Sequence, residues 1–172
     1  KEQVEEKYDL LIVSTWRGDI GYDQDVQDTM RSMKIMDQLL ARYIEDTKIN
    51  AAIIYRTERK SKDWIIPEIG LSEEEYYQEI YGNSIEYIDT DFSKRNIFPL
   101  MQNSQLTVSC LSTAVIEAYG LGRKVLYCNF SGTDLYHQDI DNEILTTDSN
   151  YKNFSEKLNS IYKSWYKDYI NK

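Results

Sequence analysis

A chain of 172 residues, 41% of them hydrophobic, buries one real core and leaves no room for two full-sized domains. Its formal net charge of −9 argues against nucleic acid or an anionic membrane surface as a partner, since both need a dense basic footprint. No apolar run approaches the ~18–20 residues of a membrane span, and the opening KEQVEEKY is charged rather than signal-like.

The run YDLLIVST (8–15) is continuously apolar and ends in hydroxyls, which predicts a strand covered on both faces. The loop WRGDIGYD follows. From Asp25, the residues Val26, Met30, Met33, Met36, Leu40, Tyr43 and Ile44 recur at steps of three and four, predicting an amphipathic helix of about five turns. INAAIIYRT (49–57) reads as a second buried strand. In SEEEYYQEIY (72–81), Ser72 and Glu75 form a capping box that starts a short helix.

SIEYIDTD (84–91) reads as the third strand, and SKRNIFPLMQNS (93–104) as a short helix limited by Pro99. QLTVSC (105–110) is the fourth strand, STAVIEAYGLG (112–122) a helix and KVLYCNF (124–130) the fifth strand. EILTTD (143–148) offers a sixth. A last helix carries Phe154, Leu158, Ile161, Trp165 and Tyr169 on one face. Strands alternating with helices make βαβ units. The expected fold is therefore α/β and Rossmann-like, a mostly parallel sheet of about six strands with helices on both faces.

In such a sheet, ligands bind beyond the carboxyl ends of the strands, where the strand order reverses. In the commonest order that crevice opens between the first and fourth strands, which here end in STWRGDIG (14–21) and SCLSTA (109–114). Ser112 suits a helix N-cap and Thr113 the first helical position, and such a terminus presents N–H groups and partial positive charge to a phosphate. Glu117 lies one turn on, on the face of Thr113. It repels phosphate yet accepts hydrogen bonds from a ribose diol beside one; a solvated helix acid is the alternative. Thr15 adds a hydroxyl. Trp16 either stacks on a base or packs in the core. Arg17 and Gly18 make a candidate anion-binding turn, and Arg56 either faces the same crevice or pairs with Glu58 or Asp63. No residue is marked as catalytic. His137, the only histidine, falls in the polar loop GTDLYHQDIDN, so it is expected to be solvated, with no metal cluster around it. Cys110 and Cys128 each close an apolar run and are expected as buried reduced thiols, which suits a cytoplasmic setting.

These residues also carry a resemblance. STAVIEAYGLGRKVLYCN (112–129) resembles the segment of GT-B glycosyltransferases in which a hydroxyl-bearing loop meets a helix reading E-A-x-x-x-G-x-x-V. NIFPLMQNSQLTVSCLST (96–113) is similar to the approach to their donor site, and most of the chain resembles their C-terminal half. The enzymes nearest in pattern build bacterial surface and capsular polysaccharides, with glycerol-phosphate polymerases and nucleotide-sugar 2-epimerases as relatives. The resemblance implies that residues 1–172 are one donor-nucleotide-binding domain of a two-domain transferase. Ser112 and Thr113 would hold the donor phosphates and Glu117 the ribose. The substrate would be a nucleotide-activated sugar, with no cofactor and no metal. A polysaccharide or lipid-linked acceptor would bind the other half, so this domain would bind a nucleotide without turning over. The first residue is Lys rather than Met, which accords with a piece of a longer chain, cytoplasmic or held at the inner membrane face by its other parts.

Three positions depart from the family pattern. Ser109 stands where many retaining members have a second acid, Lys124 where a Pro is usual, and Tyr55-Arg56-Thr57 where several capsule enzymes have His-Pro. These leave stereochemistry and nucleotide type open. A signalling receiver domain would need an acidic cluster after the first strand and a Lys ending the fifth, and this chain has neither. A non-catalytic interaction domain that keeps the fold stays open as well.

Overall fold

The structure, a computed structural model, describes residues 7–17, 23–55, 65, 69–90 and 97–164. Strand β1 (Tyr8–Val13) leads to helix α1 (Gln24–Thr47), β2 (Ala51–Tyr55), α2 (Glu73–Tyr81) and β3 (Glu86–Asp89). Then come α3 (Ile97–Gln102), β4 (Ser104–Cys110), α4 (Thr113–Gly120), β5 (Lys124–Cys128), β6 (Leu145–Thr146) and α5 (Tyr151–Lys163). The six strands lie in the order β3-β2-β1-β4-β5-β6, every neighbouring pair parallel. This is the Rossmann-like order, and the chain reverses its direction of growth between β1 and β4.

Alternation along the strands divides the interior into two layers. Leu10, Ile12, Ala51, Ile53, Val108 and Leu126 face α1, α2 and α5. Leu11, Val13, Ala52, Ile54 and Val125 face α3 and α4. Because both faces are covered, the strands are apolar at consecutive rather than alternate positions. Each Leu, Ile or Met taken fully out of water here contributes roughly 1.5–3 kcal/mol.

The helix ends follow local chemistry. Asp23 caps α1 by accepting from the Val26 N–H at 3.0 Å, and Lys48 closes it with a left-handed φ of 55° and a 2.8 Å bond from its N–H to the Ile44 carbonyl. Both halves of the Ser72–Glu75 capping box are present on α2. The differences from expectation lie at element ends. β1 stops at Val13, leaving Ser14 and Thr15 beyond the sheet, and β6 is only two residues long. α3 begins at Ile97, while residues 93–96 of its expected start lie outside the described residues, as do Trp165 and Tyr169 of the last helix. Cys110 and Cys128 are both free and buried, side by side in register at the ends of β4 and β5.

Candidate functional site

The turn from β4 into α4 is tight. Leu111 takes it in the left-handed region, φ 46°, a conformation that costs a non-glycine residue of order 1 kcal/mol and clusters at functional turns. Its N–H bonds to the Cys128 carbonyl at 3.3 Å. Ser112 follows as the N-cap of α4, its hydroxyl accepting from the Ala114 N–H at 3.2 Å.

This turn forms one wall of a cleft of about 260 Å³ above the carboxyl ends of β1 and β2. Buried Val13 and Ile54 floor the cleft. Ser14, Tyr55 and Thr90 line one side; Ser112, Thr113 and Glu117 line the other, with Phe98 of α3 at the edge. Thr113 and Glu117 are exposed, one turn apart on α4. Three of the candidate residues are thus brought together at the point where the strand order reverses.

The other candidates have different surroundings. Thr15 makes a 2.9 Å hydrogen bond with the Cys110 sulfur, tying the ends of β1 and β4 together. Trp16 is fully buried, with its ring centroid 5.5 Å from that of Tyr76. Of its two readings the packing one applies, because a ring with no exposed face has none to offer a base. Arg17 pairs with Asp25 at 2.9 Å, both side chains about half exposed at 41% and 49%. Such a pair is worth ~0–1 kcal/mol, so an arriving phosphate competes with it readily. Gly18 and Arg56 lie outside the described residues. Asp89 is exposed. Ser109, where the family pattern often has an acid, is fully buried and donates to the Val13 carbonyl at 2.6 Å.

Behind the cleft runs a polar network built from the end of β1, α1 and α2. The Ser14 hydroxyl donates to the carboxylate of Glu73, which is 1% exposed, and accepts from the Tyr77 hydroxyl at 2.7 Å and the Trp16 N–H at 3.2 Å. Its hydrogen-bonding capacity is therefore engaged from behind, and Ser14 acts as a fixed wall rather than a mobile donor. Deeper still, Asp37 of α1 accepts from Tyr81 at 2.6 Å and from Tyr76 at 3.1 Å. Burial pushes the Asp37 carboxyl up to about 7, against the pull of the two tyrosine hydroxyls. An acid at position 37 inside the apolar stripe Met33-Met36-Leu40 was the one available sign of this network.

His137 is half-buried rather than solvated, with Nδ1 2.6 Å from the Asn129 side-chain nitrogen. Among the described residues no group of three or more His, Cys, Asp or Glu side chains is placed to hold a metal ion. None of their helices is long and apolar enough to cross a membrane.

Strand order, two-sided helical cover and a cleft at the reversal point define a Rossmann-like α/β domain of the kind that forms half of a GT-B protein. Among solved structures, the chain is similar to a Listeria monocytogenes protein assigned as a UDP-N-acetylglucosamine 2-epimerase, with a TM-score of 0.55 and 16% identity. The match covers 93% of this chain and 38% of that one, so this chain spans well under half the length of the protein it resembles. At that identity the likeness is one of fold. No protein-family model matches the chain, and no curated protein does.

Proposed function

We propose that this chain is the nucleotide-binding half of a GT-B-like enzyme that takes a nucleotide-activated sugar, and that the enzyme is a glycosyltransferase of surface polysaccharide synthesis. The observation that carries this reading is the joint placement of Ser112, Thr113 and Glu117 in one cleft at the switch point. The start of α4 supplies N–H groups and a partial positive charge for a phosphate, in a domain whose net charge of −9 offers no general attraction to anions. Glu117, one turn along, accepts from a ribose diol. During transfer the bond from the sugar to the nucleotide phosphate breaks, and the negative charge left on the phosphate is stabilised by the α4 terminus and by Arg17 once it leaves Asp25. The acceptor and the general base belong to the facing half.

A second reading, the nucleotide-binding half of a nucleotide-sugar 2-epimerase, is supported by the activity assigned to the Listeria monocytogenes protein that shares the fold. Both readings require the same nucleotide cleft and differ in the fate of the sugar. In the full-length protein, an epimerase converts its nucleotide sugar without an acceptor, whereas a transferase releases nucleotide only when an acceptor is present.

Thermal unfolding of this chain with UDP, CDP, CMP and GDP tests the shared claim. A ligand that binds only the folded state stabilises it by RT ln(1 + [L]/Kd), ~2.7 kcal/mol at a hundredfold excess over Kd. At least one nucleotide should raise the melting temperature in a saturable way. No shift with any of them at millimolar concentration would favour a non-catalytic domain that keeps the fold.

A further inference from the structure

A second and larger cavity, about 340 Å³, opens on the opposite face of the sheet, between α1 and the connection from β5 to β6. The nucleotide cleft faces α3 and α4; this one is floored by Ile35 of α1 and by Phe130, both on the α1 side of the core. Its rim carries Thr133, Asp134, His137 and Thr147.

The rim is held from behind by one residue. Asn129, 2% exposed, accepts at Oδ1 from the N–H of Ser131 at 3.0 Å and from its hydroxyl at 2.6 Å. The same side chain donates from Nδ2 to the Thr133 carbonyl at 2.8 Å and contacts His137 Nδ1 at 2.6 Å. The Ser131 N–H can only donate and the Thr133 carbonyl can only accept, so the amide has one possible orientation. Nδ2 is then the donor to His137, Nδ1 is the acceptor, and the proton of the neutral imidazole sits on Nε2. The loop is therefore rigid where it meets the cavity, and its histidine is set as a hydrogen-bond donor at Nε2.

The rim groups are unspent. No hydrogen bond or ion pair among the described residues engages His137 Nε2, the Asp134 carboxylate or the Thr147 hydroxyl, and the Thr133 hydroxyl only accepts, from the Leu135 N–H at 3.3 Å. A fixed N–H donor, a carboxylate acceptor and two hydroxyls surround an apolar floor. Among the described residues no Lys or Arg lines the cavity, and the nearby Arg31 reaches the Ser131 carbonyl at 3.3 Å instead. An anion would meet the Asp134 carboxylate with no compensating cation among the described lining residues. A neutral ring carrying several hydroxyls on an apolar face satisfies both the rim and the floor, and a single sugar ring suits a cavity of this size.

We propose that the cleft between α1 and the β5–β6 connection is a saccharide-binding site, taking one neutral hexose or N-acetylhexosamine unit through Asp134, His137, Thr133 and Thr147. It stands on a different face from the nucleotide cleft and does not depend on the nucleotide reading.

The test is a titration of isotopically labelled protein, followed by two-dimensional NMR, with methyl glucoside, methyl galactoside, methyl mannoside and N-acetylglucosamine. At least one sugar should give saturable shifts at the Asn129 side-chain amide, Thr133 and the lining residue Gly132, with a Kd on the order of millimolar, as expected for one small ring. Asp134→Asn, at an exposed position that leaves the fold undisturbed, should weaken binding by about tenfold, the scale of one lost charge-assisted hydrogen bond. His137→Ala should do the same, while Glu117→Gln should titrate like the parent. That last arm keeps the outcome separate from any failure of the nucleotide reading. Shifts that do not saturate with any sugar, shifts confined to residues 112–117, or equal affinity in Asp134→Asn would each overturn the proposal. So would inorganic phosphate shifting the same resonances in place of the sugars.

Discussion

The hydroxyl of Tyr81 donates to Oδ1 of Asp37 at 2.6 Å inside the interface of α1 and α2, and Tyr76 donates to the other oxygen at 3.1 Å. This carboxyl is fully buried, with Glu73 the other acid acting on it. Burial raises it from 3.8 to about 7, so the native chain holds a proton that the unfolded chain releases between those values. The stability it contributes is fully present below about pH 4 and is lost as pH rises to about 7, with a slope of up to ~1.4 kcal/mol per pH unit. Urea unfolding between pH 4.5 and 7.5 should show that decline in the parent and a flatter curve in Asp37→Asn, whose neutral amide still pairs with both tyrosines. Identical slopes in the two proteins would show that Asp37 is ionised throughout.

Cys110 and Cys128 lie opposite one another at the ends of adjacent parallel strands, both fully buried. Burial pushes the Cys110 thiol up to about 12, against the pull of Thr15, and the Cys128 thiol well above its ordinary value. A scarce thiolate with no access to solvent reacts slowly. An aromatic disulfide reagent should therefore label neither residue in native buffer at the rate it does in denaturant. Fast native labelling of both would contradict the placement of β4 and β5.

Trp16 separates packing from ligand stacking. Its ring is fully buried against Tyr76, so Trp16→Ala should cost ~3–5 kcal/mol of stability. Trp16→Phe keeps an aromatic in that space and should lower the melting temperature while leaving nucleotide affinity within error of the parent. A selective loss of affinity in Trp16→Phe would return the indole to the binding site.

What could be read from the sequence was whatever depends on short spacing. The capping box of Ser72 and Glu75, the N-cap at Ser112 and the continuous apolar runs of β1, β2 and β5 each follow from neighbours within a few positions. The same rules place Thr113 and Glu117 on one helical face, and the common strand order carries that face to the switch point. The rest depends on contacts between distant residues. Glu73 stands in a run of three acids yet is buried, because the start of α2 docks against the end of β1 and its carboxylate meets Ser14, 59 positions away. His137 reads as a lone polar residue until the loop folds back onto Asn129 at the end of β5. The left-handed Leu111 had no sign at all, since the sequence offers neither Gly nor Asn at that turn.

The central claim is that Glu117 and the start of α4 hold a nucleotide, and calorimetry of ribonucleotide binding to the parent, Glu117→Gln and Ser112→Ala tests it most directly. Replacing the carboxylate by an amide exchanges charge-assisted hydrogen bonds, roughly 1.5–3 kcal/mol, for neutral ones of about 1. At this exposed position the change should leave the melting temperature of the free protein unaltered. Ser112→Ala removes a helix cap and should cost ~1 kcal/mol of stability as well as affinity. A deoxyribonucleotide lacking the diol should bind the parent more weakly than its ribonucleotide counterpart, and should bind the parent and Glu117→Gln alike, so that the double-mutant cycle isolates the contact. The account predicts about a tenfold loss of ribonucleotide affinity in Glu117→Gln with an unchanged fold. Ribonucleotide binding as tight as the parent's would make Glu117 a solvated helix acid and would contradict the assignment of the cleft.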